Sequence, residues 1–177
     1  EDFSGEIIER YKTRILDFIK LEFNAATLIG MKDPRFCVTL PLWLSVLRQL
    51  GYVVKLIWVV RNIASCLLSN KKLADSVPMR SERLVVSSSF LAAYMLEGEA
   101  HYFCEYDNFV GSPEKSVQQL AEWLDLSRKS IERACRVIQP TLRHHAPDNG
   151  SELSPLLEEL SSLLLNKKLQ ASHYLKF

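Results

Sequence analysis

Long hydrophobic runs are missing from this chain. Its longest apolar stretch near the middle, Phe36 to Leu47, is twelve residues and holds Pro41, short of the roughly 20 that span a bilayer. No membrane span is expected, and no signal peptide is visible. Cysteine is sparse as well. Cys37, Cys66, Cys104 and Cys135 are widely spaced inside apolar patterns, which excludes CxxC metal or redox pairs and favours reduced core thiols in a cytoplasmic protein. Charge of one sign does not accumulate: the net charge is +1, so there is no electrostatic case for nucleic acid or an acidic membrane. No G-x-x-x-x-G-K-[ST] occurs, which counts against an ordinary nucleoside triphosphatase. Internal repeats and low-complexity linkers are absent too.

What is there is an ordinary globular composition, 177 residues with 47% hydrophobic and 24% charged, enough for one domain with a sizeable core. The chain is organised around Val53 to Asn70, where an apolar β-branched run ends abruptly in Arg61-Asn62 and a helical pattern begins. Leu56-Ile57-Trp58-Val59-Val60 is apolar at consecutive positions, which fits a strand covered on both faces in a parallel sheet. Asn62 suits the N-cap of the following helix. In open α/β sheets ligands bind beyond the carboxyl ends of strands, and Arg61 lies at such an end. Arg61, Ser65 and Ser69 recur at four-residue spacing, and a guanidinium with two hydroxyls suits a phosphate. The competing reading is an arginine paired with a carboxylate and serines that merely face solvent. Eight residues of helix rise about 12 Å, so Arg61 and Ser69 share a phosphate only if Arg61 reaches inward.

In chain order, Ser4 to Phe23 reads as an amphipathic helix packed on the sheet, with Ile8, Tyr11, Ile15, Phe18 and Ile19 on one face. Ala26 to Met31 reads as a strand ending in Lys32-Asp33-Pro34-Arg35, which puts Lys32 at a second carboxyl edge. Lys32 facing a ligand and a salt bridge of Lys32 or Arg35 with Asp33 are both open on spacing. Phe36 to Leu50 is a helix closed by Gly51, and Tyr52 to Val60 is the next strand, parallel to the first and adjacent or nearly so. Asn70 to Pro78 is a polar connection, plain or lid-like. Ser81 to Glu97 is a helix with Leu84, Val85, Leu91, Ala92 and Met95 on one face, and Phe90 and Tyr94 read as packing residues.

His101 to Val110 reads as a third strand with polar residues entering at its end, and Tyr102–Glu105 is its core. Tyr106 is either a half-buried strand residue or a ring that meets a base. Ser112-Pro113 opens a helix with Val117, Leu120, Ala121 and Leu124 inside. Ser127 to Gln139 is helical, and Pro140 stops it. His144 and His145 lack a third ligand nearby and are assigned no role. Ser154-Pro155 opens a last helix whose leucine face docks on the domain or on a partner.

Lys32-Asp33-Pro34-Arg35, then a strand ending in Arg61 with Ser69 eight residues on, then Glu105-Tyr106-Asp107-Asn108-Phe109 before a helix, stand in one order. This order resembles the sulfotransferase family, above all its bacterial-type and tyrosylprotein-type branches, which carry a KDP or KDPR motif. The likeness covers roughly Ala26 to Arg143 and includes a P-x-L-R segment at Pro140–Arg143. It implies an α/β, three-layer fold with a small, mainly parallel sheet flanked by helices, P-loop-like in type. It implies a sulfuryl transferase that uses 3′-phosphoadenosine 5′-phosphosulfate (PAPS), acting on a hydroxyl or amine acceptor of unspecified kind, without metal. By the same resemblance Arg61 and Ser69 hold the 3′-phosphate, Tyr106 the adenine, and Lys32 the transferring group.

The family grips the 5′-phosphosulfate with a strand, a basic loop and a helix N-terminus early in the domain, and no such element precedes Lys32. The expectation is therefore one sulfotransferase-like domain over 1–177 that corresponds to its later part. A dimer or an upstream segment would then complete the sheet, and the chain alone would be inactive. The alternative is a non-catalytic relative, a nucleotide-binding or protein-interaction module of the same fold.

Overall fold

The computed structural model describes residues 3–24, 26–73, 78–138 and 153–176. Residues 139–152 fall outside that set, and with them the P-x-L-R segment and the paired histidines, as do residues 74–77 of the Asn70 to Pro78 connection, whose remaining residues are helical rather than a loop. Contacts divide the chain into two compact units, Glu1–Val54 and Lys55–Phe177, and each is described by itself.

The first unit is two helices, α1 (Phe3–Phe23) and α2 (Phe36–Gln49). Ile15 and Ile19 of α1 pack with Val46 and Leu47 of α2, and Ile29, Met31, Tyr52 and Val54 close over them. The apolar face expected on α1 is buried only in part, since Ile8, Tyr11 and Phe18 stay exposed. Phe18 and Phe36 both meet the Trp43 ring edge-on, at 6.1 and 5.4 Å. The end of α2 is as expected. Gly51 takes φ +82°, its N–H donates to Arg48 O, and the Tyr52 N–H donates to Leu47 O, both at 3.0 Å. That pair of bonds is the Schellman closure, and it needs a left-handed residue where glycine carries no Cβ penalty.

Ala26–Met31 is a correction. It forms no strand; Ile29 and Met31 turn their side chains onto the α1–α2 core while Leu28 is left exposed. A strand requires a neighbour for its backbone groups, and among the described residues none pairs with this segment. Among the described residues Tyr52–Lys55 likewise pairs with no strand, and the strand begins only at Leu56.

The second unit holds the sheet. Strand β1 (Leu56–Val60) pairs in parallel with β2 (His101–Glu105), with Trp58 opposite Phe103 and Val60 opposite Glu105. The connection runs through α3 (Ile63–Leu73) and α4 (Pro78–Met95), the long crossover a parallel pair requires. After β2 come α5 (Tyr106–Gly111), α6 (Pro113–Leu124), α7 (Arg128–Val137), α8 (Pro155–Leu165) and a 3₁₀ segment, Ala171–Lys176. The fold is thus mostly helical with a small parallel sheet, α/β in the coarse sense.

One face of the sheet is well covered. Val60, Ile63, Leu67, Phe90, Ala93, Leu157, Leu160, Leu164 and Leu169 form one buried cluster with Trp58 and Phe103 against it. The leucine face of α8 docks here, on its own domain, with Ser154 as its N-cap. Among the described residues of α4 the buried apolar ones are Phe90 and Ala93, whereas Leu84 and Tyr94 are exposed, so the face read from sequence is turned. The other side of the sheet is covered at β2, where Tyr102 lies 6.0 Å from the Trp123 ring of α6. At β1 it is open: Ile57 and Val59 are 41% and 59% exposed. Among the described residues of this unit, burial on both faces of β1 is therefore not found.

Candidate functional site

The carboxyl ends of β1 and β2 lie side by side because the strands are parallel and in register. With Val60 opposite Glu105, the next residues are Arg61 and Tyr106. The Arg61 guanidinium carbon sits 4.6 Å from the centroid of the Tyr106 ring, within cation–π range. Two residues singled out by separate sequence patterns are therefore in contact. Tyr106 is not a strand residue as read from the sequence. It is the first residue of α5, and Glu105 ends the strand and flanks that helix.

Both sides of this contact are anchored. Asn62 precedes α3, and its Oδ1 accepts the Ser65 N–H at 3.3 Å, the N-cap role expected of it. Across from it, Asn108 Nδ2 donates to Glu105 Oε2 at 2.5 Å. The Asn108 carbonyl accepts the Ser112 N–H at 3.0 Å and the Ser116 hydroxyl at 3.3 Å. Strand end, α5 and α6 are thereby tied together around the tyrosine.

The serines divide. Ser65 is completely buried, so it does not share an open polar stripe with Arg61, and its hydroxyl has no hydrogen-bond partner. Ser69, one turn further along α3, is half-buried. Cys66 lies near this end of the sheet. Burial raises its thiol pKa, with Arg61 opposing and Asp107 adding to the rise. Such a thiol stays protonated and is no nucleophile.

Lys32 belongs to the first unit and is described there alone. In its turn Arg35 takes Asp33 completely: Arg35 Nε donates to Asp33 Oδ1 at 2.9 Å, Nη2 to Oδ2 at 2.5 Å, and the Arg35 N–H to Oδ1 at 2.8 Å. These bonds bring the Asp33 carboxyl down to about 2. Of the two pairings open from sequence, the Arg35–Asp33 bridge forms. Lys32 stays exposed, and no ion pair joins it to Asp33.

A concavity of about 1070 Å³ opens at the other end of β2, lined by Trp58, Glu97, His101, Trp123 and Lys167 among others. His101 Nδ1 is engaged there by Glu99 O at 2.9 Å, and Lys167 Nζ lies 5.0 Å from the Phe103 centroid. Its lining carries the Tyr102 and Ser172 hydroxyls but no arginine, and sequence reasoning had no local signal for it. Among the described residues no group of His, Cys, Asp and Glu could hold a metal, and no helix is long and apolar enough to cross a membrane.

Comparison with known protein families, with curated proteins and with solved structures finds no match to this chain.

Proposed function

We propose that this chain is a sulfotransferase-type domain whose nucleotide site lies at the carboxyl end of β1 and β2. The observation that supports it best is the Arg61–Tyr106 contact, a cation and an aromatic ring seated together beyond two parallel strand ends. That is where α/β sheets bind ligands, and the pair offers what an adenosine 3′,5′-bisphosphate moiety needs. The guanidinium supplies a planar fork of donors for phosphate, and the tyrosine supplies a ring and a hydroxyl for a base. Ser69 adds a hydroxyl on the helix that begins beside Arg61. The partnerless hydroxyl of Ser65 is a further polar group beneath the site.

In this reading the donor is PAPS, and the complete protein moves its sulfuryl group to a hydroxyl or amine. The sulfur–oxygen bond to the 5′-phosphate breaks as the acceptor's bond to sulfur forms. Charge grows on the sulfuryl oxygens and the leaving phosphate, and preorganised cations lower that barrier. Lys32 is assigned to the sulfuryl group by its place in the motif order; it is exposed, and Arg35 rather than Lys32 neutralises Asp33. The P-loop-like fold and the cytoplasmic setting are part of the same proposal.

Calorimetric titration with adenosine 3′,5′-bisphosphate tests the site, and transfer of radiolabelled sulfate from PAPS tests the chemistry. Saturable one-site binding that is weakened in Arg61→Ala is the expected result. No binding overturns the proposal, while binding without transfer to hydroxyl or amine acceptors favours the non-catalytic relative.

A further inference from the structure

The concavity at the amino end of β2 lies outside the nucleotide site. From His101 to Glu105 the strand covers about 13 Å, so this space is at the opposite end of the sheet from Arg61 and Tyr106. Aromatic rings make its walls. Trp58, His101 and Phe103 form one edge-to-face group, with His101 and Phe103 centroids 5.9 and 5.8 Å from that of Trp58. Tyr102 and Trp123 form the other, 6.0 Å apart. Lys55 Nζ lies 5.1 Å from the Trp123 centroid and donates to the Trp123 carbonyl at 3.3 Å. These rings are thus held by partners before any ligand arrives, which lowers the cost of binding. The polar lining is mixed rather than of one sign. Gln119 and Gln170 bring amides, Glu97 a carboxylate and Lys167 an ammonium. The Glu99 carbonyl can only accept, so His101 Nδ1 carries a proton at their 2.9 Å contact, and Nε2 is the acceptor of the neutral ring.

Lys167 adds an independent observation. It follows the Asn166 C-cap of α8 with φ +58°, its N–H donates to Leu164 O at 3.0 Å, and the Lys168 N–H donates to Leu163 O at 2.8 Å. This is the turn that Gly51 makes after α2. A lysine there bears the Cβ penalty that glycine escapes, and its side chain ends 5.0 Å from the Phe103 centroid at the cavity wall. A non-glycine residue kept in the left-handed region points to function.

We infer that this cavity binds a neutral saccharide, with pyranose rings against the aromatic walls and hydroxyls bonded to the amides, His101 and Lys167. Other ligand classes fit less well. An anion meets two carboxylates, Glu97 and Glu99, against one ammonium. An organic cation finds Lys167 Nζ already over the Phe103 ring. A purely apolar ligand would take water from the amides and carboxylates and return no hydrogen bond. A pyranose has an apolar C–H face for a ring and a rim of hydroxyls that both donate and accept, so it matches both kinds of lining. The cavity anchors the sugar and performs no chemistry on it, and its role stands apart from the nucleotide reading.

The test titrates the full chain with cellotriose, maltotriose and triacetylchitotriose, read by the indole N–H resonances of its three tryptophans. Trp58 and Trp123 line the cavity, and Trp43 on α2 is the internal control. Saturable shifts of Trp58 and Trp123 with Trp43 unmoved are expected for at least one of these sugars. Lys167→Gly keeps the left-handed turn, so it should fold at least as well as the wild type while binding the sugar severalfold more weakly. Trp123→Ala removes a wall and should weaken binding about tenfold. Benzoate and tetramethylammonium are titrated alongside as the anionic and cationic alternatives. No saturable shift with any of the three sugars overturns the inference, as does tighter saturation by benzoate or tetramethylammonium. Sugar binding at wild-type affinity in both Lys167→Gly and Trp123→Ala would place the sugar elsewhere and overturn it too.

Discussion

Lys32-Asp33-Pro34-Arg35 and Arg61-Asn62 are both basic turns that lead into a helix, and their arginines make contacts of very different range. Arg35 closes on a carboxylate two residues away in its own turn. Arg61 lies on a ring carried by the next strand's end. The first arrangement is a local clasp that a short peptide could make, whereas the second exists only when β1, its crossover and β2 are all in place. The supporting cores differ in the same sense. Behind Arg61 stands a cluster built by strands and three helices; behind the first turn stand two helices and unpaired extended chain. The difference teaches that an arginine after an apolar run makes a long-range contact when the run is a paired strand, and a local one when it is not.

The hardest blow to this contrast is Leu160→Ala. Leu160 is fully buried at the centre of the second unit, and the cavity should cost about 2–5 kcal/mol, read by chemical denaturation. Leu28→Ala, in the unpaired stretch before Lys32 and 72% exposed, should change stability by less than about 0.5 kcal/mol. Similar losses would mean that the two turns rest on equivalent supports.

At the site, Arg61→Ala should weaken adenosine 3′,5′-bisphosphate by about 1.5–3 kcal/mol, and Ser69→Ala by about 0.5–1.5 kcal/mol, since a charge-assisted contact exceeds a neutral one. Calorimetry on both variants decides it, and equal, unchanged affinities would return Arg61 to a structural role. Arg35→Ala should leave this affinity unaltered, because Arg35 is committed to Asp33.

The smallest effect sharpens the contrast from the other side. The Arg35 hydrogen bonds hold the Asp33 carboxyl at about 2, so the clasp is intact above the ordinary carboxylate range and is lost as pH falls through about 2. A carboxyl-carbon NMR titration should show this midpoint in the wild type and a rise toward the ordinary value in Arg35→Ala.

Much of the local structure could be read from the residues. Gly51 after an apolar helix, Asn62 before one, and Ser154-Pro155 opening another are signals carried within a few residues, and each stands as expected. Leu56–Val60 and the Tyr102–Glu105 strand were legible from their apolar and aromatic content. Ala26–Met31 was not, because a strand depends on a distant neighbour, and Ile29 and Met31 found helices instead. The face of α4 was misread for another reason. Val85, Val86, Phe90, Leu91, Ala92, Ala93, Tyr94 and Met95 are apolar almost all round, so periodicity does not select the buried side. Arg61 and Tyr106 were each singled out by pattern, but their contact follows from the register of β1 on β2, which no local signal encodes.

That register has a consequence in time. Strands β1 and β2 are joined through the whole of α3 and α4, and closing so long a loop is entropically costly before any pairing rewards it. Arg61 has no ring to rest on until His101–Glu105 has found Leu56–Val60. On the ribosome the ring must emerge well after the cation, so Arg61 passes its first moments as an ordinary solvated side chain. In refolding, Trp58 meets Phe103 at 5.8 Å only when the strands pair, so the tryptophan reports in the same late phase that delivers Tyr106 to the arginine.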